Sequence, residues 1–262
     1  MSTITNFSGN INESFPVPGQ DNDSQGFRDN FNNTKLAFNE TSIEISDLQS
    51  KVLLKQQLGG TAAVDNDLNN STINNGSYTN FFGIANPGGS VSTGQDINVD
   101  TASIHTFQLT TSINFTFKNW PESGKYGIVR VHFKGPAGAD ATPGLFTAGG
   151  GDIIKSFGFP SNFAVSLSKT TSGSQASGQP QLVLNNSTDL AVGMVVSGTS
   201  IPSSPVTTIT NINSGTVTLS QNLSDVITTG TTIHFSYPNG RAIEAWSING
   251  GATVYVKHIG DF

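Results

Sequence analysis

The chain has 262 residues, room for one or two domains, and sets 12 Lys and Arg against 18 Asp and Glu for a net charge of −6. The few cations are scattered, which argues against nucleic acid as a partner, and the lack of Cys removes disulfides, thiolate nucleophiles and Cys-based zinc sites. Charged residues make up only 11%, less than half the usual share, and Asn, Ser, Thr and Gly take their place, a balance suited to strands and turns rather than disorder.

Residues 1–24 read as a short docking arm. MSTITNFSGNINESF lacks the basic and apolar segments of a signal peptide. No apolar run is long enough to span a bilayer, so membrane insertion is not expected. Pro16 and Pro18 predict an extended path, and Asp23 or Ser24 is a suitable helix N-cap. DNDSQG resembles the start of an EF-hand loop, but the twelfth loop position is Asn32 where calcium needs a bidentate Glu, so capping is the better reading.

Residues 25–58 carry the one long helical pattern. With Phe31 at heptad position a, Phe38, Ile45 and Val52 follow at intervals of seven, and d falls on Phe27, Thr34, Thr41, Leu48 and Lys55. The strict repeat predicts a left-handed coiled coil about 50 Å long, with self-association through Phe27, Phe31, Phe38, Ile45, Leu48 and Val52. Leu36 and Ile43 lie off this seam, and an apolar face widened by them would suit packing against the chain's own domain instead. Gly59 and Gly60 end the helix pattern. Residues 59–100, rich in Asn, Gly, Ser and Thr, read as a connector with little structure of its own.

Strand language follows. In INFTFK, Ile113, Phe115 and Phe117 alternate with polar residues, and in IVRVHFK so do Val129, Val131 and Phe133. Period two predicts antiparallel strands with one buried face. GPAGADATPGLFTAGGGD reads as a mobile loop, and SFGFPSNFAVSL as a strand carrying Phe157, Phe159 and Phe163. SKTTSGSQASGQP, residues 167–179, reads as a low-complexity linker, followed by five or six short strands of a small barrel or sandwich. AIEAWSINGGATVYVKHIGDF reads as a hairpin turning at Asn249-Gly250. The expected fold is therefore mainly β: an N-terminal coiled-coil helix, then an antiparallel β-sandwich or jelly-roll-like domain of residues 101–166 plus 237–262, with a small all-β module, residues 167–236, inserted.

Chemistry-bearing patterns are sparse. His105, His132, His234 and His258 occur singly within strand patterns, without the clustering a metal site needs. Ser123-Gly124-Lys125 lacks the first Gly of a phosphate loop and sits between strands, and the glycines at 149–151 lack a dinucleotide setting. Glu122 and Glu244 are the one plausible carboxylate pair, and residue identity alone does not set their separation. No catalytic residue, metal or cofactor is expected.

VPGQDNDSQGFRDNF followed by SDLQSKVLLK resembles the opening of structural, fibre-like virion proteins of marine and cyanobacterial tailed phages. HTFQLTTSINFTFKNWPESGKYGIVRVHF with EAWSINGGATVYVKHIGDF is similar to a β-domain of phage fibres and appendages, and VGMVVSGTSIP with SGTVTLSQNLS to a small β-module of phage and bacterial surface proteins. The resemblance covers about four fifths of the chain and departs from the family in the long separation of the β-domain's two halves. It implies a non-enzymatic homotrimer located in the virion and joined to other virion proteins through the N-terminal arm, in a tail, baseplate or neck appendage or, alternatively, as a head decoration. A host receptor or surface glycan is the alternative partner class, with Trp120, Tyr126 and Trp246 as candidate contacts; packing in a core or between chains is the other use of those rings.

Overall fold

The residues described by the computed structural model, 11–21, 24–51 and 83–262, form one helix and fifteen strands and divide between two units, Met1–Ser77 and Tyr78–Phe262. Asp23, Val52, Lys55, the Gly59-Gly60 stop and the 59–82 part of the expected connector lie outside the described residues.

In the first unit, helix α1 spans Ser24–Lys51. The segment before it is not extended as its prolines predict. It doubles back: the Asn12 N–H donates to Asn30 Oδ1 at 2.8 Å, Asn30 Nδ2 donates to the Asn12 carbonyl at 3.2 Å, and Phe15 meets Phe27 edge-on at 5.0 Å. Gly26 allows this, because a Cβ there would come within 2.7 Å of the Phe15 ring.

In the second unit the chain alternates between two sheets. Strands β1 (Ala85–Val91), β3 (Ile104–Leu109), β5 (Gly127–Lys134) and β7 (Asp152–Lys155) enter a six-stranded sheet, and β2 (Gln95–Asn98), β4 (Ile113–Lys118) and β6 (Pro143–Thr147) enter a three-stranded one. The large sheet is completed by the hairpin of β14 (Arg241–Ser247) and β15 (Thr253–Asp261), in the order β1-β3-β5-β14-β15-β7. Alternation buries Ile113, Phe115 and Phe117 on β4 and Val129, Val131 and Phe133 on β5, as the period-two pattern predicts. Phe107, Phe115 and Phe133 meet at the centre, with ring centroids 4.8 Å apart in successive pairs.

Pairing direction corrects the expectation of an antiparallel, jelly-roll-like domain. β1, β3 and β5 are parallel neighbours, as are β2, β4 and β6, and β7 runs parallel to β15. Parallel strands need a crossover. Here each crossover is made by a strand of the opposite sheet, so alternation of buried residues survives although the direction differs. β1 and β2 also occupy the end of the expected connector. The expected mobile loop contains β6, whose backbone groups pair with β4.

Strands β8 (Ser166–Thr170), β9 (Gln181–Val183), β10 (Val195–Ser197), β11 (Ile209–Asn213), β12 (Thr216–Leu219) and β13 (Thr232–Ser236) pair among themselves in two antiparallel three-stranded sheets. They enclose a second core that includes Leu182, Met194, Ile209, Val217, Ile233 and Phe235. The expected linker 167–179 is ordered here. Thr171 is buried and donates to the Thr228 carbonyl at 2.7 Å, and Gln175 exchanges backbone bonds with Ile227. Polar composition misled because the Thr171 hydroxyl and the Gln175 backbone find partners within the chain, although Gln175 Oε1 is buried without one.

Arg241 sits where the chain enters and leaves this second core. It is 4% exposed, donates from Nε to Asp261 at 2.6 Å and from Nη1 to the Asn162 and Ala164 carbonyls at 3.1 Å each. Its guanidinium lies 4.7 Å from the Phe163 ring centroid and 4.6 Å from that of Tyr237. Burial raises the Tyr237 pKa, opposed by the neighbouring positive charge of Arg241. His105, fully buried on β3, is held neutral: Nε2 donates to the Asn98 carbonyl at 3.1 Å and Nδ1 accepts from Asn86 Nδ2 at 3.3 Å. Burial lowers its pKa against the opposing pull of the Asn98 and Ala102 backbone.

Two outcomes follow. Arg241→Met should destabilise the second unit by about 3 kcal/mol, read as a lower urea midpoint, because two buried carbonyls and a carboxylate lose their donor. Since the folded pKa of His105 lies below its unfolded value near 6.5, the unfolded chain takes up the proton first. Its contribution is complete above about pH 6.5 and is lost as pH falls through the folded value; the urea midpoint should drop over that range, and less steeply in His105→Gln.

Candidate functional site

Two surfaces collect the candidate residues. On α1, the a residues Phe31, Phe38 and Ile45 and the d residues Phe27 and Leu48 are all exposed, Phe31 and Phe38 above 70%. Five large apolar side chains line one stripe of this 28-residue helix; Phe15 packs against Phe27, and the other four stand exposed, a face that favours burial against a partner. The threonines at d are better suited to a seam than their composition suggests. Thr34 donates to the Asn30 carbonyl at 2.9 Å and Thr41 to the Ala37 carbonyl at 2.8 Å. Each hydroxyl is thus satisfied by its own helix, and no unpaired donor enters the stripe.

Leu36 and Ile43 are exposed as well. At about 100° per residue they fall opposite the centre of the a/d stripe, so they do not widen it as the sequence reading assumed. Val52 lies outside the described residues.

The second surface is one end and the outer face of the six-stranded sheet. Trp120 packs against the first core, with its ring 6.0 Å from Phe117 and its Nε1 buried without a partner. Tyr126 is exposed. Trp246 lies on β14, where register pairs it with Ile128 on β5 and Tyr255 on β15, and Tyr255 in turn with Ile154 on β7. Trp246 and Tyr255 stack with centroids 5.7 Å apart and planes within 15°. Residues directly opposite in a ladder share a face, so Ile128, Trp246, Tyr255 and Ile154 form one row across the sheet. A sugar needs an open ring face; here the two rings cover one another and Trp120 faces the core.

The Trp120 loop and the hairpin turn support each other. Gly124 N–H donates to the Ile248 carbonyl at 2.9 Å, and the turn takes its positive φ at Gly250 and Gly251 rather than at Asn249. At Gly251, with φ of 83°, a Cβ would stand 2.2 Å from Trp120 Cδ1. Tyr255, Ile128 and Ile154 were absent from the sequence-derived candidates. Their alignment in one row depends on strand register, which no local pattern reveals.

The candidate carboxylates and histidines do not gather at one place, and His132 Nε2 and His234 Nδ1 are buried without a hydrogen-bond partner. Glu244 pairs with Arg130 at 2.9 Å and Glu122 with Lys125 at 3.5 Å. His258 Nε2 lies 2.7 Å from Asp261, and His234 lies 3.8 Å from Asp140. Among the described residues no three His, Asp or Glu side chains gather in a metal-holding arrangement, and no helix is long and apolar enough to cross a membrane. No protein-family model, curated protein or solved structure matched the chain.

Gly251→Ala should cost about 1 to 3 kcal/mol, from backbone strain and displacement of the indole. In a Trp246→Phe background it should also shift the Trp120 emission toward that of a solvated indole.

Proposed function

We propose that the chain is a non-enzymatic structural subunit of a tailed-phage virion, a homotrimer whose helix forms a coiled coil and whose N-terminal arm joins it to other virion proteins. The observation that carries the self-association is the exposed stripe of Phe27, Phe31, Phe38, Ile45 and Leu48, with its threonine hydroxyls turned back on their own helix. Covering those side chains with copies of the same stripe removes apolar surface from water at about 25 cal/mol per Å2 without burying an unpaired polar group. The virion assignment and the count of three rest on the resemblance of the VPGQDNDSQGFRDNF and EAWSINGGATVYVKHIGDF stretches. A tail, baseplate or neck appendage suits an arm, a rod and a β-unit in that order, and a head decoration is the other placement. The glycan-binding alternative draws less support, since Trp120 packs inward and Trp246 shares its face with Tyr255.

Sedimentation equilibrium of the full chain at micromolar concentration should return three times the chain mass of 27.4 kDa. A monomer would remove the reading. Phe38→Asp places a charge on the seam of every copy and should dissociate the assembly at a cost of several kcal/mol, about 3 or more. Gold-labelled antibody to the chain should mark tails or necks of purified particles; marks on heads would select the decoration role, and unmarked particles would refute the virion assignment.

A further inference from the structure

Among the described residues of the second unit, the most exposed large apolar side chain is Phe157. It is held out by a closed turn, since the Phe159 N–H donates to the Ser156 carbonyl at 3.0 Å and Gly158 takes a φ of 80°, the pattern of a type II turn. Both ends of the turn are fixed. Ser156 N–H donates to the Val256 carbonyl at 2.8 Å, and the Phe159 ring packs 5.1 Å from Phe163 and 5.1 Å from Lys155 Nζ. A rigid turn that presents a whole phenyl ring to water has the form of an interface anchor, because little further ordering is needed when it docks.

The same sheet carries a recess of matching character. A groove of about 300 Å3 opens between β3 and β5, walled by Ile104, Ile128, Gly83 and Ser103, with the Arg130–Glu244 ion pair at its rim. Beyond Ser103 and Gly83 it continues into a second recess lined by Asp100. Phe157 cannot reach it on its own molecule. The turn follows β7, which is three to four strand positions from β5 and β3, or about 14 to 19 Å at the usual spacing. An anchor at one edge of a sheet and a hole toward the other make a head-to-tail contact, and head-to-tail contacts close into rings when the rotation allows.

We infer that Phe157 of one copy inserts into the Ile104–Ile128 groove of the next, so that the β-units of the assembly join in a ring. This rests on the self-association proposed above, which brings the copies to high effective concentration. Charge favours the same occupant: Lys155 stands two residues before the anchor, and Asp100 lines the recess that continues from the groove. The row Ile154, Tyr255, Trp246 and Ile128 runs between anchor and groove and lends each contact an apolar margin.

The chain has no Cys, so introduced thiols report without background. Ser156→Cys with Ser103→Cys leaves Phe157 and both isoleucines in place, one thiol beside the anchor and the other on the groove wall. A short bismaleimide should link the doubly substituted chain into covalent dimers and trimers, whereas either single variant forms no chain longer than two. Adding Phe157→Ser should lower the yield about tenfold, the effect of losing roughly 1.4 kcal/mol at an anchor. Sedimentation of the same samples separates the two readings. A trimer whose chains stay unlinked overturns the docking and leaves assembly through the helix standing; an unlinked monomer overturns both; linking that Phe157→Ser does not reduce overturns the role of the anchor.

Discussion

The Arg241 guanidinium, buried between the Phe163 and Tyr237 rings and bonded to Asp261 and to the Asn162 and Ala164 carbonyls, ties together the parts of the second unit. Residues 162–164 lead into the second core, Tyr237 leaves it, and Asp261 ends the last strand of the first. A cation removed from water is costly unless every donor is matched. Here Asp261 accepts from Nε, the Asn162 and Ala164 carbonyls accept from Nη1, and Tyr237 adds its ring face. The ion pair alone is weak evidence of stability; its place at the crossing of three segments makes it a constraint on how the chain is threaded.

The same threading explains the two cores. Alternating strands between sheets lets short segments pair in parallel without helices, and it lines both inner faces with Phe and β-branched residues. Strands β8–β13 close on themselves before the chain returns to β14, which lies between β5 and β15. The hairpin therefore enters the middle of the large sheet, far in sequence from its neighbour β5. Pairing across such a separation has to overcome loop-closure entropy, which rises only slowly with length. The fully buried His105, bonded to Asn86 and Asn98, ties β1 and β2 to β3 in the same way, through polar groups that are all satisfied.

In the proposed assembly the two surfaces take the same kind of partner, a second copy of the chain. The helix offers a repeat that suits copies of itself, and the β-unit offers an anchor and a groove that cannot meet within one molecule. Weak contacts add when their owners are already linked, so neither surface has to be strong alone. The proposed seam, interrupted by threonines, fits that division.

The sequence by itself determined the mainly β character, the N-terminal helix, the outward and inward faces of β4 and β5, and the closing hairpin, because hydrophobic period and turn residues act locally. It also placed Phe31, Phe38 and Ile45 on one stripe of the helix. Tertiary structure alone decided that β3, β4 and β5 find parallel neighbours, that Gly- and Pro-bearing β1 and β6 are strands, and that the polar stretch 167–179 is ordered. Those outcomes depend on which distant strand supplies the missing hydrogen-bond partners, and no local pattern carries that information. The aromatic candidates divide for the same reason. Trp120, Tyr126 and Trp246 look alike in sequence, yet register and the close approach of Gly251 turn one inward, leave one in water and stack one on Tyr255.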